Sequence, residues 1–258
     1  YQATGREDFK RIAQEILRYC KRDMTSPDGA FYSATDADSL GPSGHREEGW
    51  FFTWTPAEIE QALGKEKARP VIAYYGITPG GNFEGRSILF VPREPAEVVA
   101  ELGVSEAELA GLISRARERL YAARERRIQP GRDDKVLGAW NGLACRAFAE
   151  AGRALGRPDY THAAVKNAEF ILTAMRKDGR LLRSWKDGEA KLLGYLEDYS
   201  MVADALLSVY EATFDLKWLD VARGLANDML RLFWDKEREI FFDTGVDHER
   251  LGPAMVLA

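Results

Sequence analysis

The sequence predicts a mainly α-helical fold in which helix pairs follow one another, as in a repeat array or toroid, with small β-hairpins on its edge. Three observations lead to this prediction. A helix followed by an extended segment recurs along the chain, a second amphipathic helix precedes two of the copies, and helix-start signals mark the segments between them.

The recurring segments share an aromatic residue with a small residue four positions later. These pairs are Phe9/Ala13, Tyr160/Ala164 and Trp218/Ala222. Twenty-two positions past each aromatic residue, after a polar turn, an apolar residue begins an extended segment at Phe31, Leu182 or Ile240. In the first copy the apolar residues follow the spacing of one helix face, which predicts a helix that packs against a neighbour.

Amphipathic helices are also predicted over 134–155 and 197–213, directly before the second and third copies. Each forms an αα-hairpin with the helix that follows it, and we call the first helix of each hairpin the inner helix. If the inner helices all run in the same direction, their starting residues lie on one rim. Acidic residues recur at those starts, among them Asp133 and Asp134 before the first inner helix and Glu197 and Asp198 at the second.

The first part of the chain adds a hairpin and further helices. Alternating apolar residues at both ends of 31–54 predict a β-hairpin inserted at the rim, with Asp36 and Asp38 on its connection. The segment 95–127 predicts two helices, over 95–102 and 105–127, the second beginning at a capping box of Ser105 and Glu108. We expect residues 1–258 to form one toroid domain fragment.

Composition narrows the class of protein. The 258 residues carry a formal charge of -5 with basic and acidic residues interleaved, so we expect neither nucleic acid nor a membrane as a partner. No apolar run is long enough to cross a bilayer, and we expect a cytoplasmic protein. Cys20 and Cys145 lie far apart on apolar helix faces, which indicates buried reduced thiols.

Several long motifs carry a resemblance to a known family. In chain order they are FYSATDADS, GWFFTWTPAEIEQALG, GNFEGRSILF, RDDKVLGAWNGL, LEDYSMVADALLSVYEAT and EIFFDT. Together they resemble the thioredoxin-domain-containing family of spermatogenesis-associated protein 20. The resemblance implies a thioredoxin-like domain followed by a six-hairpin, glycosidase-like (α/α)6 toroid. We expect this chain to hold part of the toroid, to lack the thioredoxin-like domain, and to stop at GPAMVLA where family members continue.

Toroids of this shape include glycoside hydrolases, which use a protonated carboxylic acid and a second carboxylate. By this analogy we predict Asp198 as the acid or base and Asp134 or Asp133 as its counterpart. Flat aromatic rings beside carboxylates suit a polyhydroxylated ligand, so a carbohydrate is the expected partner. The predicted ligand-binding residues are Asp36, Asp38, Trp54, Trp140, Trp185, Glu197 and Tyr199.

Other interpretations stay open at this point. Each aspartate at a helix start can instead cap free N–H groups, and the aromatic rings can be core residues. The toroid can then be a non-catalytic scaffold that binds a glycan or a protein and presents it to a thioredoxin-like domain. A sugar epimerase would need a histidine, and only His45, His162 and His248 are present. We expect no metal or cofactor, and exposed apolar edges predict self-association.

Overall fold

The computed structural model describes residues 1–248, so the C-terminal GPAMVLA lies outside the described residues. The chain divides into two compact units: unit 1 comprises Tyr1–Ala34 and the chain from Arg132 onward, and unit 2 comprises Thr35–Gly131. The physical basis of this division is that each unit buries its own cluster of apolar side chains. The single toroid domain expected over residues 1–258 stays a prediction.

The described chain is mainly helical, with short antiparallel strands, as predicted. The helices are α1 (Glu7–Asp23), α2 (Pro56–Leu63), α3 (Lys65–Tyr74), α4 (Pro95–Leu102), α5 (Glu106–Arg124), α6 (Gly138–Leu155), α7 (Pro158–Ala174), α8 (Leu196–Thr213) and α9 (Leu216–Leu232). The strands are β1 (Ala34–Thr35), β2 (Asp38–Leu40), β3 (Arg46–Glu48), β4 (Arg132–Asp133), β5 (Val136–Leu137), β6 (Arg176–Lys177), β7 (Arg180–Lys186), β8 (Glu189–Leu193), β9 (Trp234–Asp235) and β10 (Ile240–Phe241).

Unit 1 is built around α6 and α8, which run parallel. Ion pairs join them at two levels, from Arg146 to Asp204 at 2.6 Å and from Arg153 to Glu211 at 2.6 Å. The sequence separation is the same at both levels, and this is possible only if the two helices run in the same direction. The prediction that the inner helices share a direction is therefore confirmed for this pair.

Each of these helices is followed by an antiparallel partner. In the first pair, the Sγ of Cys145 on α6 lies 3.3 Å from the carbonyl oxygen of Ala164 on α7. In the second pair, Tyr199 at the start of α8 contacts Phe233, the residue after α9, with ring centroids 5.3 Å apart. Two αα-hairpins therefore lie side by side, as the sequence predicted.

A small sheet lies at the N-terminal ends of α6 and α8. Strand β7 pairs antiparallel with β5, β6 and β8. Because β5 leads directly into α6 and β8 leads into α8, this sheet fixes where both helices begin. The register places Val136 opposite Trp185 and Leu137 opposite Ser184.

Two buried asparagines attach the segment after α1 to the helix pair. The side chain of Asn141 accepts a hydrogen bond from the Phe31 N–H at 2.8 Å and donates one to the Phe31 carbonyl at 2.9 Å. Asn167 donates to Asn141 at 2.9 Å and to the Gly29 carbonyl at 2.9 Å. Phe31 then stacks on Phe148, with centroids 5.1 Å apart. The extended segment predicted after the first helix is thus held by side chains of α6 and α7.

Unit 2 contains the β2–β3 hairpin and helices α2 to α5. Its core includes Trp54, Ile59, Val98 and Leu109. Capping boxes begin two of its helices, Thr55 with Glu58 at the start of α2 and, as predicted, Ser105 with Glu108 at the start of α5. The boundaries of α4 are those predicted from the sequence, and α5 ends three residues earlier than predicted, at Arg124.

Two local details differ from the sequence-based expectation. The strands of the first hairpin are β2 and β3, paired from Asp38 with Glu48 to Leu40 with Arg46. Asp38 therefore lies in a strand and not on the connection between the strands. In α1, Phe9 is 45% exposed and Ile16 is 57% exposed, while Leu17 is buried. The reason is that α1 contacts its neighbours in unit 1 along only part of its predicted apolar face.

Candidate functional site

Asp198 connects the starts of both parallel helices. Its Oδ1 accepts a hydrogen bond from the Ala139 N–H in the first turn of α6 at 2.8 Å. Its Oδ2 accepts one from the Tyr195 N–H, at the N-cap of α8, at 2.9 Å. The guanidinium of Arg183 on β7 lies 3.2 Å from the same Oδ2. One carboxylate thereby satisfies N–H groups at two helix starts.

The burial of Asp198 bears on its two predicted roles, catalysis and helix capping. The residue has no exposed surface, so its carboxyl oxygens do not reach a ligand at the protein surface. Burial raises the pKa of Asp198, and the hydrogen bonds from Tyr195 and Ala139 oppose this shift. The geometry matches the capping interpretation, with Asp198 also holding Arg183 in place.

Arg183 carries the connection from Asp198 to the surface. It binds Glu197 at 2.7 Å as well as Asp198, and its guanidinium carbon lies 4.6 Å from the centroid of the Tyr195 ring. Glu197, in the first turn of α8, keeps 48% of its side chain exposed. A solvent-facing carboxylate is thus fixed by an arginine that is itself anchored to a buried acid.

Asp243 lies beside this ion pair. Its backbone carbonyl accepts a hydrogen bond from the Leu196 N–H at 2.9 Å, which joins the segment after β10 to the start of α8. Burial, and then the negative charge of Glu197, raise the pKa of Asp243, while Arg183 and His248 act in the opposite direction. Two carboxyl groups in different environments therefore sit at one helix end.

His248 completes the group that we call the acid–base cluster, which comprises Arg183, Tyr195, Glu197, Asp243 and His248. Its ring stacks on Tyr195 with centroids 5.3 Å apart, and its Nδ1 accepts a hydrogen bond from the Gly245 N–H at 2.9 Å. His248 is thus packed against the start of α8, whereas His162 lies on α7.

Asp133 and Asp134 lie just before β5 and bind basic neighbours in their own segment. Asp133 accepts hydrogen bonds from the Lys135 backbone N–H and ammonium, both at 3.2 Å, and these bonds lower the pKa of Asp133. Asp134 accepts one from Arg132. Both side chains are about two-fifths exposed. Because its pKa is lowered, Asp133 suits a base or a ligand contact better than a proton donor.

The three aromatic residues predicted in unit 1 fall into different environments. Trp140, in the first turn of α6, is 54% exposed and can offer its ring to a ligand. Trp185 is half-buried, with its ring edge-on to Phe170 at 5.2 Å. Tyr199 has no exposed surface, and its hydroxyl accepts hydrogen bonds from the Leu181 N–H at 2.9 Å and Arg180 at 3.0 Å. Tyr199 is therefore a core residue and not a stacking surface.

The remaining predicted residues belong to unit 2. The carboxylate of Asp36 accepts hydrogen bonds from Arg46 and from the Asp38 N–H, which shapes the entry into β2. Trp54 is 4% exposed and lies beneath the guanidinium of Arg127, 4.2 Å from its carbon. Trp54 is therefore part of the unit 2 core. Its ring is covered by Arg127 and by core residues, so it offers no surface to a ligand.

Arg183 and Tyr195 are not among the residues predicted from the sequence. Arg183 follows two consecutive buried leucines, Leu181 and Leu182, so no alternating pattern in β7 distinguishes it. Tyr195 is the residue before α8, where side-chain caps are common. Their role becomes visible only when β7 and the α8 start are brought together.

Fold and geometry define a mainly α-helical protein of consecutive αα-hairpins with an acid–base cluster at the shared end of its parallel helices. Among known proteins, the chain is 31% identical to spermatogenesis-associated protein 20 of Homo sapiens over 94% of its length, and 29% identical to an uncharacterised protein of Caenorhabditis elegans over 89%. The family resemblance is thus confirmed. The chain spans 35% of the length of each of these relatives. No family model matches it.

Solved structures of sugar enzymes show a weaker likeness. Cellobiose 2-epimerase from Bacillus thermoamylovorans aligns with a TM-score of 0.42 and 11% identity, over 92% of this chain and 58% of that one. Unsaturated glucuronyl hydrolase from Bacillus sp. GL1 gives 0.40 and 14%, over 95% and 63%. With TM-scores this low, these likenesses support no argument about activity.

Within residues 1–248, no helix combines the length and the apolar character needed to cross a bilayer.

Proposed function

We propose that the acid–base cluster binds a carbohydrate and hydrolyses a glycosidic bond, with Glu197 and Asp243 as the paired carboxyl groups. The observation that carries this proposal is the contrast between their environments. Glu197 is exposed and ion-paired with Arg183, whereas the pKa of Asp243 is raised by burial and by the charge of Glu197. Paired carboxyl groups in contrasting environments are the usual source of the separate acid and base roles in catalysis.

The roles of the two groups follow from these environments. Asp243, whose pKa is raised by burial, donates a proton to the leaving oxygen. Glu197, held by Arg183, activates water or attacks the sugar carbon. Asp198 is a positioning residue, because it contacts Arg183 and not the ligand. Trp140 offers an exposed ring at the adjacent helix start, and Asp133 and Asp134 remain candidates for ligand contacts or for the second carboxylate.

The proposal is tested with Glu197→Gln and Asp243→Asn. Each variant should lower the rate of hydrolysis at least about 100-fold, the contribution expected of one acid–base group, while the melting temperature changes little. The substrates are uronic-acid and neutral disaccharides, and released sugar is measured. Glu211→Gln is the matched control, because Glu211 is an exposed carboxylate in a 2.6 Å pair with arginine at the opposite end of α8. Equal losses in all three variants would argue against the assignment.

The raised pKa of Asp243 adds a pH signature. Because an acid catalyst works only while protonated, the rate should fall as pH rises through the pKa of Asp243. Asp243→Asn should remove that limb of the pH–rate profile and leave the rest. A profile of the same shape in the variant would exclude Asp243 as the proton donor.

The second candidate is a non-catalytic scaffold that binds a glycan or a protein and presents it to a thioredoxin-like domain. The exposed face of α6 favours it, since Trp140 is 54% exposed and Leu143 is 50% exposed one turn later. A sugar that shifts the melting temperature of the chain but is not cleaved would support the scaffold. In that case Trp140→Ala should remove the shift, whereas Glu197→Gln should retain it.

A further inference from the structure

Unit 2 contains a surface groove, separate from the acid–base cluster, with a volume of about 580 Å³. This volume lies within the range of about 300–1,000 Å³ typical of small-molecule sites. The groove lies along α3 and continues past the turn after it to Pro92 and Arg93. Its apolar surface is formed by Ile72, Ala73, Gly76, Ile77 and Pro92.

Basic side chains border this apolar surface. Lys65 and Arg69 are one helical turn apart on α3, and within the described residues neither has a carboxylate at ion-pair distance. Arg93 also lines the groove, but it is bound to Glu101 at 2.7 Å. Glu60 is the other acidic residue of the lining. The lining therefore carries three basic and two acidic groups, and the basic groups without a partner are both on α3.

The backbone adds to this positive charge. Helix α3 begins at Lys65, and the N-cap residue Gly64 provides no side-chain hydrogen bond. The N–H groups of an uncapped first turn favour a nearby anion. At the other end of the groove Gly76 has a φ of +57° and lies so close to Pro92 that a Cβ would be 2.6 Å from the proline ring. This close approach of Gly76 and Pro92 holds the apolar surface of the groove in place.

We propose that this groove, here called the cationic groove, binds an amphipathic small molecule in which an anionic head follows an apolar chain. The head lies between Lys65 and Arg69, and the chain lies along Ile72, Ala73 and Pro92. Two unpaired cations one turn apart, followed along the same helix by apolar side chains, match the head and tail of such a molecule. Carboxylate and phosphate heads share this chemistry.

The experiment is isothermal titration calorimetry of the whole chain with decanoate, decyl phosphate and decanol, below the concentration at which any of them forms micelles. We expect both anions to bind and decanol to bind at least about tenfold more weakly, as loss of a charged contact predicts. The stronger of the two anions identifies the head group. Equal binding of decanol and decanoate, or no binding of either anion, would overturn the proposal.

A pair of variants ties binding to the groove. Lys65→Gln with Arg69→Gln should weaken decanoate binding at least about tenfold. The matched control is Arg115→Gln with Arg119→Gln, since these exposed arginines are also one turn apart, on α5 of the same unit. An equal loss in the control would show a general charge effect and contradict the site. Because all four residues lie in unit 2, the result is independent of any activity at the acid–base cluster.

Discussion

The carboxylate of Asp198 accepts hydrogen bonds from N–H groups at the starts of α6 and α8 and contacts Arg183. At the scale of single residues, an acid in this position is first a structural group. Its position explains why an aspartate that the sequence predicts as catalytic lies beneath the surface. The exposed acid next to it, Glu197, is the one that a ligand can reach.

Asp198→Asn should lower the free energy of unfolding by about 1–3 kcal/mol, because the amide replaces one of two buried accepting oxygens with an NH2 group that faces an N–H donor. Urea denaturation measures the effect. The control is Asp204→Asn on the same helix, where the aspartate side chain is 45% exposed and pairs with Arg146. This variant should lower the free energy of unfolding by less than about 1 kcal/mol. Lost turnover in Asp198→Asn with unchanged stability would instead make Asp198 catalytic.

The same variant has a defined pH dependence. Since the pKa of Asp198 is raised in the folded protein, ionisation of this group opposes folding. Its stabilising contribution is complete below the unfolded pKa and is lost as pH rises through the folded pKa. The stability difference between the wild type and Asp198→Asn should therefore increase as pH is lowered into that range.

The two thiols should differ in reactivity. Burial raises the pKa of Cys145 to about 12, and it also raises the pKa of Cys20, which is only partly buried. Because the thiolate is the reactive form, Ellman's reagent should modify Cys20 first and Cys145 only after unfolding in urea. Rapid modification of both thiols in the native protein would contradict the burial of Cys145.

At the scale of elements, the close approach of α6 and α8 depends on Gly142. A Cβ at this position would lie 2.6 Å from the backbone carbonyl carbon of Met201. A methyl group would have to separate the two helices, which carry Asp198 and its partner Ala139 at their starts. The helix packing and the site geometry thus depend on the same glycine.

Gly142→Ala should destabilise the protein by about 1–3 kcal/mol, since the strain of overpacking exceeds the gain in helix propensity. Gly224 on α9 provides the control, because no atom lies within 4 Å of its added Cβ. Gly224→Ala should be neutral or stabilising by up to about 1 kcal/mol. Thermal unfolding of both variants measures the difference, and equal shifts would show that the α6–α8 contact is not limiting.

At the scale of the whole molecule, the chain contains two separate apolar cores. The residues of unit 2 are contiguous in sequence, from Thr35 to Gly131, and its core includes the large buried side chains Trp54 and Ile59. A contiguous segment of this length with its own core meets the usual requirements for independent folding.

A fragment of residues 35–131 should therefore fold alone, with a helical circular dichroism spectrum and a cooperative thermal transition. Ile59→Ala, which truncates a side chain with no exposed surface, should lower its free energy of unfolding by about 2–5 kcal/mol. A fragment without a cooperative transition would show that unit 2 needs the rest of the chain.

The sequence by itself determined the helical fold class, the αα-hairpins and several helix boundaries, because periodicity and capping residues are local signals. Thr55 and Ser105 mark helix starts in the sequence as clearly as in the structure. Local signals do not separate a capping acid from a catalytic one, nor a core aromatic from an exposed one. Only the tertiary structure decided which side chains are buried and which meet. The burial of Asp198 and Tyr199, and the meeting of Arg183, Glu197 and Asp243, depend on packing between elements distant in sequence.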